Sequence, residues 1–163
     1  MSGGGPAVRV RLARRDDWPS VSELLREVDD LHAAIAPEYF RSAPRSEAEW
    51  ARLLEEDNGA LFVAEPPDRD GAIGLLVARL YDTPDNPSMV PRRRLHVETV
   101  VVGGKHRRCG IGRRLMNEGA AWGRARGAVE VVLTTWVGNE DAEAFYQRLG
   151  YRVLSRVFSA PIT

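Results

Sequence analysis

The apolar positions of this chain switch repeatedly between a two-residue and a three-to-four-residue repeat, and each switch predicts an element. Val8, Val10 and Leu12 alternate with polar neighbours, as in a half-buried strand. Val21, Leu24, Leu25, Val28 and Leu31 follow helical spacing and predict a helix with one buried face. Asp16 and Asp17 offer that helix a cap, Pro19 suits its first turn and Pro37 marks its end. A second helix is predicted over 46–56, capped by Ser46, with Trp50, Leu53 and Leu54 on its apolar side. Two strands over 60–65 and 73–81 flank the turn-rich stretch 66–71 and predict an antiparallel hairpin. A strand over 95–102, a helix over 112–126, a strand over 129–136, a helix over 139–149 and a closing strand over 151–158 complete the series.

That order predicts an α/β fold: one domain over 7–163, with a central mixed β-sheet flanked by about four helices. The stretch from Val102 to Val129 has the length of a parallel crossover. Residues 1–6 are glycine-rich and are expected to be disordered. Net charge is zero, so no global field draws nucleic acid or an anionic membrane. The one cysteine, Cys109, excludes an internal disulfide and a cysteine metal cluster, and no metal is expected. The chain start lacks the apolar core of a signal peptide, and no apolar run is long enough to span a bilayer, so a cytoplasmic protein is expected.

The chemistry concentrates in Arg107-Arg108-Cys109-Gly110-Ile111-Gly112, between a predicted strand and a predicted helix. Glycines let the backbone turn tightly and a ligand come close. The first amides of a helix lack intrahelical partners, and the helix dipole is positive there, so the turn is built for a phosphate group. A dinucleotide fingerprint is disfavoured, because Leu115 stands at its third small position. A P-loop fails because Ile111 takes the lysine position.

Arg107, Gly110 and Gly112 do match the pattern R/Q-x-x-G-x-G/A. A second block follows: Asn139, then Ala142 or Ala144, Phe145-Tyr146 and Gly150-Tyr151. In these two blocks the chain resembles the GNAT superfamily of N-acetyltransferases, most strongly over 95–151; Gly104 departs from it, standing where many members carry proline. The resemblance implies an acetyl-coenzyme A-dependent acyltransferase moving an acetyl group to a primary amine by direct attack. It implies that amides of Arg108, Cys109, Gly110, Ile111, Gly112 and Arg113 hold the pyrophosphate, with charge from Arg107, Arg108, Arg113 and Arg114. The backbones of Val100 and Val102 would meet the pantetheine arm, and Asn139 would cap its helix and touch the coenzyme. Tyr146 takes the family position of the acid that protonates the departing thiolate; core packing beside Phe145 is the competing role.

Glu98 is the base candidate: strand parity puts it on one face with Val100 and Val102, and a carboxylate among valines needs a partner or a wet cleft. A structural ion pair with Arg92, Arg93 or Arg94 is the alternative, and His96, of the same parity, is the rival base. Cys109 is expected to be a spacer. The expected partner is a small-molecule or peptide amine, with Asp29, Asp30, His32, Glu38, Tyr39, Phe40 and Trp50 as candidates for the acceptor wall. A homodimer is compatible, and neither nucleic acid nor membrane is expected. A non-catalytic acyl-coenzyme A sensor is the alternative function.

Overall fold

The computed structural model of the chain describes residues 7–68 and 70–162, so the disorder expected at 1–6 lies outside the described residues. The strands are β1 (Arg9–Leu12), β2 (Gly59–Glu65), β3 (Gly74–Asp82), β4 (Arg93–Val102) and β5 (Glu130–Leu133). The α-helices are α1 (Trp18–Ile35), α2 (Glu47–Leu54), α3 (Ile111–Arg124) and α4 (Glu140–Arg148). The sheet runs β1-β2-β3-β4-β5 in chain order. The first four strands are antiparallel neighbours, and β5 lies parallel to β4 after the α3 crossover, giving the mixed sheet expected from the sequence.

Side chains alternate across a strand, so each strand feeds two cores. On one face Phe62, Leu76, Leu95 and Val97 pack against Ile111, Leu115 and Met116 of α3. On the other, Leu61, Val63, Leu75, Val77 and Val101 pack against Val21, Leu24 and Leu25 of α1 and Trp50 of α2. α3 can lie close on the sheet because Gly119 faces it. A Cβ there would stand 3.1 Å from Leu76 Cδ2.

The helix starts have different supports. Ser46 caps α2 as expected: its hydroxyl accepts the Glu49 amide at 3.2 Å, and Glu49 accepts the Ser46 amide at 2.9 Å. Asp17 does not cap α1 with its side chain. Its carboxylate instead accepts Arg11 at 2.8 and 2.9 Å and the Arg14 amide at 2.7 Å. Burial pushes the Asp17 carboxyl up, but the bonds from Arg11 and Arg14 outweigh it and hold the group below the usual carboxylate range. Arg11 also reaches Glu65 on β2, so this triad ties the first strand, the second strand and the entry to α1 together.

Three sequence expectations are corrected. First, β4 carries a bulge. Val77 faces Thr99 while the next residue, Ala78, faces Val97, which leaves Glu98 as the extra residue. One extra residue reverses the alternation, so Leu95 and Val97 share a face with Val100 and Val102, while Glu98 does not. Second, the strand expected over 129–136 stops at Leu133, because its ladder with β4 ends at Val97, just before the bulge. Third, the stretch 151–158 is not a strand. Tyr151 bonds back to the Tyr146 carbonyl at 3.0 Å, and the chain then runs on without a ladder. Its β-forming residues express that preference only where another strand offers a ladder.

Candidate active site

The loop between β4 and α3 is shaped by two left-handed residues. Gly110, the N-cap of α3, has φ +78°, and Arg108 has φ +62°. The first helical bond runs from the Arg114 amide to the Gly110 carbonyl at 3.1 Å. The amides of Ile111, Gly112 and Arg113 precede it and have no carbonyl within the helix to meet. Gly110 has open space where a side chain would begin, so a bulky anion can approach the loop backbone. Arg108, Arg113 and Arg114 are exposed around this helix start. Arg107 is directed elsewhere: its Nε donates to the Val102 carbonyl at 3.1 Å, and Nη2 reaches Glu27 of α1 at 3.4 Å. It stitches the loop to the sheet. Cys109 is exposed, its Sγ 3.4 Å from the Arg107 carbonyl. These features fit a pyrophosphate, and the donors are mainly peptide groups.

Beside this loop the sheet opens. β4 and β5 are paired only from Arg94–Glu130 to Val97–Leu133. Beyond that point β4 continues to Val102 with no strand on its far side among the described residues. The Gly103 amide donates to the Ile73 carbonyl at 2.9 Å, which turns the peptide groups of 103, and by alternation 101, toward β3. Val100 and Val102 therefore direct theirs into the gap. The Val102 carbonyl is taken by Arg107, leaving the Val102 amide and both peptide groups of Val100 to face a ligand.

Glu98 stands where the gap begins, on the α1/α2 side of the sheet. Arg79 bridges it to Glu56 at the end of α2, and the Tyr81 hydroxyl donates to the same Glu98 carboxylate at 3.4 Å. The ion pair is real, but its arginine is Arg79, not one of Arg92, Arg93 and Arg94. Flanking carboxylates hold the Arg79 guanidinium charged, raised above its ordinary value by its bonds to Glu56 and Glu98 despite burial. His96 shares the Glu98 face, with its ring centroid 5.8 Å from Tyr81. Arg79 and Tyr81 were missed by sequence reasoning; the available signal was one arginine inside the apolar run 73–81.

Tyr146 comes from the opposite face. It is half-buried against the α3 core, 5.2 Å from Phe145 and 5.8 Å from Tyr151 between ring centroids. Burial, with a smaller contribution from Tyr151, pushes its phenol up to about 12. Among the described residues no side chain bonds its hydroxyl. Asn139 caps α4, its side chain accepting the Ala142 amide at 3.3 Å. α4 is held against the start of α3: a Cβ on Gly112 would stand 3.0 Å from Phe145 Cζ, so any side chain there would press on the Phe145 ring.

The acceptor candidates divide. Trp50 is 1% exposed and donates to the Arg14 carbonyl at 3.2 Å, so it is core, not wall. Asp29 is paired with Arg45 at 2.6 and 2.8 Å, and Asp30 accepts Ser42. His32, Tyr39 and Phe40 do gather, and they gather on Trp136, which sequence reasoning had placed inside a strand. Phe40 stacks on His32 at 4.9 Å and meets Trp136 edge-on at 4.8 Å; Tyr39 lies 5.0 Å from Trp136. This aromatic wall joins the end of α1 to the segment after β5. Glu38 beside it is exposed.

Known proteins share this fold. Residues 22–151 match the model of the acetyltransferase (GNAT) family. The mouse protein N-alpha-acetyltransferase 80 is 36% identical over 130 residues, which are 76% of this chain and 38% of that protein. The chain thus matches well under half the length of that relative. A mutant of the BH1408 protein from Bacillus halodurans superposes with TM-score 0.89 at 24% identity, covering 95% of this chain and 99% of that one. An aminoglycoside N-acetyltransferase, AAC(6')-Iy, in complex with coenzyme A superposes with TM-score 0.73 at 20% identity, covering 99% of each chain. With its loop, gap and strand order set against a family match that spans most of its length, the chain belongs to the acetyltransferase (GNAT) family.

Proposed function

We propose that this protein is an N-acetyltransferase that transfers an acetyl group from acetyl-coenzyme A to a primary amine. The observation that carries the reading is the opening between β4 and β5, with the left-handed loop of α3 beside it and Glu98 at its base. The amides of Arg108 to Arg113 bind the coenzyme pyrophosphate, with Arg108, Arg113 and Arg114 supplying charge. The Val100 carbonyl and the Val102 amide pair with the pantetheine arm, and Asn139 lies at the coenzyme side of α4. Bound there, the thioester supplies an activated acyl carbon.

An alkylammonium has a pKa of roughly 10, so the attacking amine must shed a proton. Glu98 accepts it, directly or through water, from the α1/α2 side, and Arg79 and Tyr81 fix the carboxylate in place. The amine nitrogen bonds to the acyl carbon, the carbon–sulfur bond breaks, and the nitrogen's second proton passes through water to the phenolate that Tyr146 becomes on protonating the sulfur. Negative charge growing on the carbonyl oxygen is steadied by the Val100 amide. Tyr146 gives its proton to the departing sulfur; with its phenol pushed up to about 12 it stays protonated at neutral pH. Amine and coenzyme thus enter from opposite faces of one sheet, which matches the change of face at the bulge.

The acceptor rests against His32, Tyr39, Phe40 and Trp136, a surface suited to an alkyl or sugar amine carrying positive charge. The mouse relative's name points to protein N-termini and the coenzyme complex's to aminoglycosides, and both are primary amines. Thiol release from acetyl-coenzyme A is measured across protein N-terminal peptides, polyamines, amino sugars and arylalkylamines. Amine-dependent release abolished in Glu98→Gln supports the reading. Coenzyme binding with no release from any amine would favour the acyl-coenzyme A sensor.

A further inference from the structure

A positive charge beside a general base is a handicap. An arginine next to a carboxylate favours the ionised form and weakens the group's hold on a proton. Glu98 has such a neighbour. Its Oε1 accepts both the Arg79 guanidinium and the Tyr81 hydroxyl. Its Oε2 meets no donor among the described residues and is the oxygen left to take a proton.

Arg79, however, is spent mainly elsewhere. Its Nε and Nη2 hold the two carboxylate oxygens of Glu56, Nη2 at 3.0 Å, and only Nη1 turns to Glu98. The backbone fixes Glu56 over this spot. The Glu56 carbonyl accepts the Gly59 amide at 3.2 Å, and the Asn58 carbonyl accepts the amide of Leu80, next to Arg79, at 2.8 Å. An ion pair that only tied the end of α2 to β3 would be complete with Glu56 and Arg79 alone. Here the guanidinium is shared between two carboxylates, and its side chain is 20% exposed, so solvent and salt screen the three charges weakly.

The other charges around Glu98 are already matched or turned away. β3 brings Arg79 and Tyr81, and β4 itself brings His96. β5 sets Val132 opposite His96, and its one charge, Glu130, pairs with Arg92 at 3.7 Å. On α1, Glu27 meets Arg107 and Asp29 meets Arg45. On α2, Glu49 is used in the cap at Ser46, and Arg52 is exposed.

We propose that Glu56 is a positioning residue for acyl transfer: it offsets the Arg79 charge, so that Glu98 is held in place by the arginine yet stays basic enough to take the amine's proton. Arg79 by itself would orient the carboxylate and weaken it as a base. This inference rests on the reading of Glu98 as that base.

Two readouts separate the inference from the reading beneath it. The first needs no substrate. The full chain is labelled with ¹³C at its glutamate carboxyls, the Glu98 signal is assigned by its loss in Glu98→Gln, and its titration is followed by NMR. In Glu56→Gln, which keeps the shape and drops the charge, the Glu98 midpoint is expected at lower pH than in the wild type. Glu56→Asp, which keeps the charge, is expected to stay near the wild type, and Arg79→Gln to move the midpoint the opposite way. The second readout is the pH dependence of kcat/KM, with acetyl-coenzyme A and the amine of the release panel that reacts fastest. In Glu56→Gln the acidic limb is expected to follow the midpoint down, with a plateau about tenfold lower, part of the ~10² to 10⁴ that a positioned base supplies. Circular dichroism checks that each variant is folded. A Glu98 midpoint unmoved in Glu56→Gln, or moved equally in Glu56→Asp, would overturn the proposal. So would Glu56→Gln and Arg79→Gln moving it in the same direction. A midpoint that moves beneath an unmoved acidic limb removes Glu56 from the transfer. If Glu98→Gln also keeps the wild-type limb, or no amine in the panel releases thiol, the base reading falls as well.

Discussion

The two arms of the sheet differ in how completely they bury themselves. β2 and β3 each hold five consecutive buried positions, whereas β5 buries none of its four and α4 none of its nine. The first arm is a meander of antiparallel neighbours, covered on both faces by helices of the same chain. The second meets the first along four residue pairs and then parts from it. The lesson is that the gap a ligand needs requires one arm to give up part of its cohesion. The antiparallel arm supplies the stability that lets the other remain open.

Four measurements would break or sharpen this contrast. The largest effect belongs to the open arm's chemistry: Tyr146→Phe keeps the ring and is expected to lower kcat by about 10² to 10⁴, the range for a positioned acid. Unchanged turnover would return Tyr146 to packing alone. In the closed arm, Leu75→Ala empties a fully buried site and is expected to destabilise by about 2–5 kcal/mol in urea unfolding. Val131→Ala on half-buried β5 is expected to lose only about 1 kcal/mol, and equal losses would erase the distinction.

Alkali offers the third. The Tyr146 phenol is raised by burial from 10 to about 12, so the folded state favours the neutral form. Its contribution to stability is complete below pH 10 and is lost as pH rises toward 12, a change on the order of 2–3 kcal/mol. Thermal melts of the wild type should therefore fall relative to those of Tyr146→Phe across that window. The smallest concerns the loop: Arg113→Gln with Arg114→Gln is expected to raise KM for acetyl-coenzyme A about tenfold, less in high salt, with kcat little changed.

Much of the fold was legible because periodicity reports which side of an element is buried. The helix from Val21 to Leu31, the helix capped by Ser46 and the hairpin 60–81 all express that signal in neighbouring residues. The loop at Gly110 was legible for a similar reason, since glycine spacing answers to local backbone need. The face of Glu98 was not, because a bulge is decided by how β3 and β4 register against each other, and alternation assumes that none intervenes. The Trp136 wall was also hidden: it forms from residues about a hundred positions apart, and neither segment signals the other. The stretch 151–158 has strand-forming residues, but whether it pairs depends on what lies next to it.

Residue 98 has a property that follows from the bulge alone. Deleting it would restore plain alternation in β4 and leave Leu95, Val97, Val100 and Val102 on the face they already share. The hydrophobic packing thus demands neither the presence nor the identity of a residue there. What the extra residue adds is a carboxylate aimed at the other side of the sheet, so its retention answers to the chemistry at the gap and not to the apolar core.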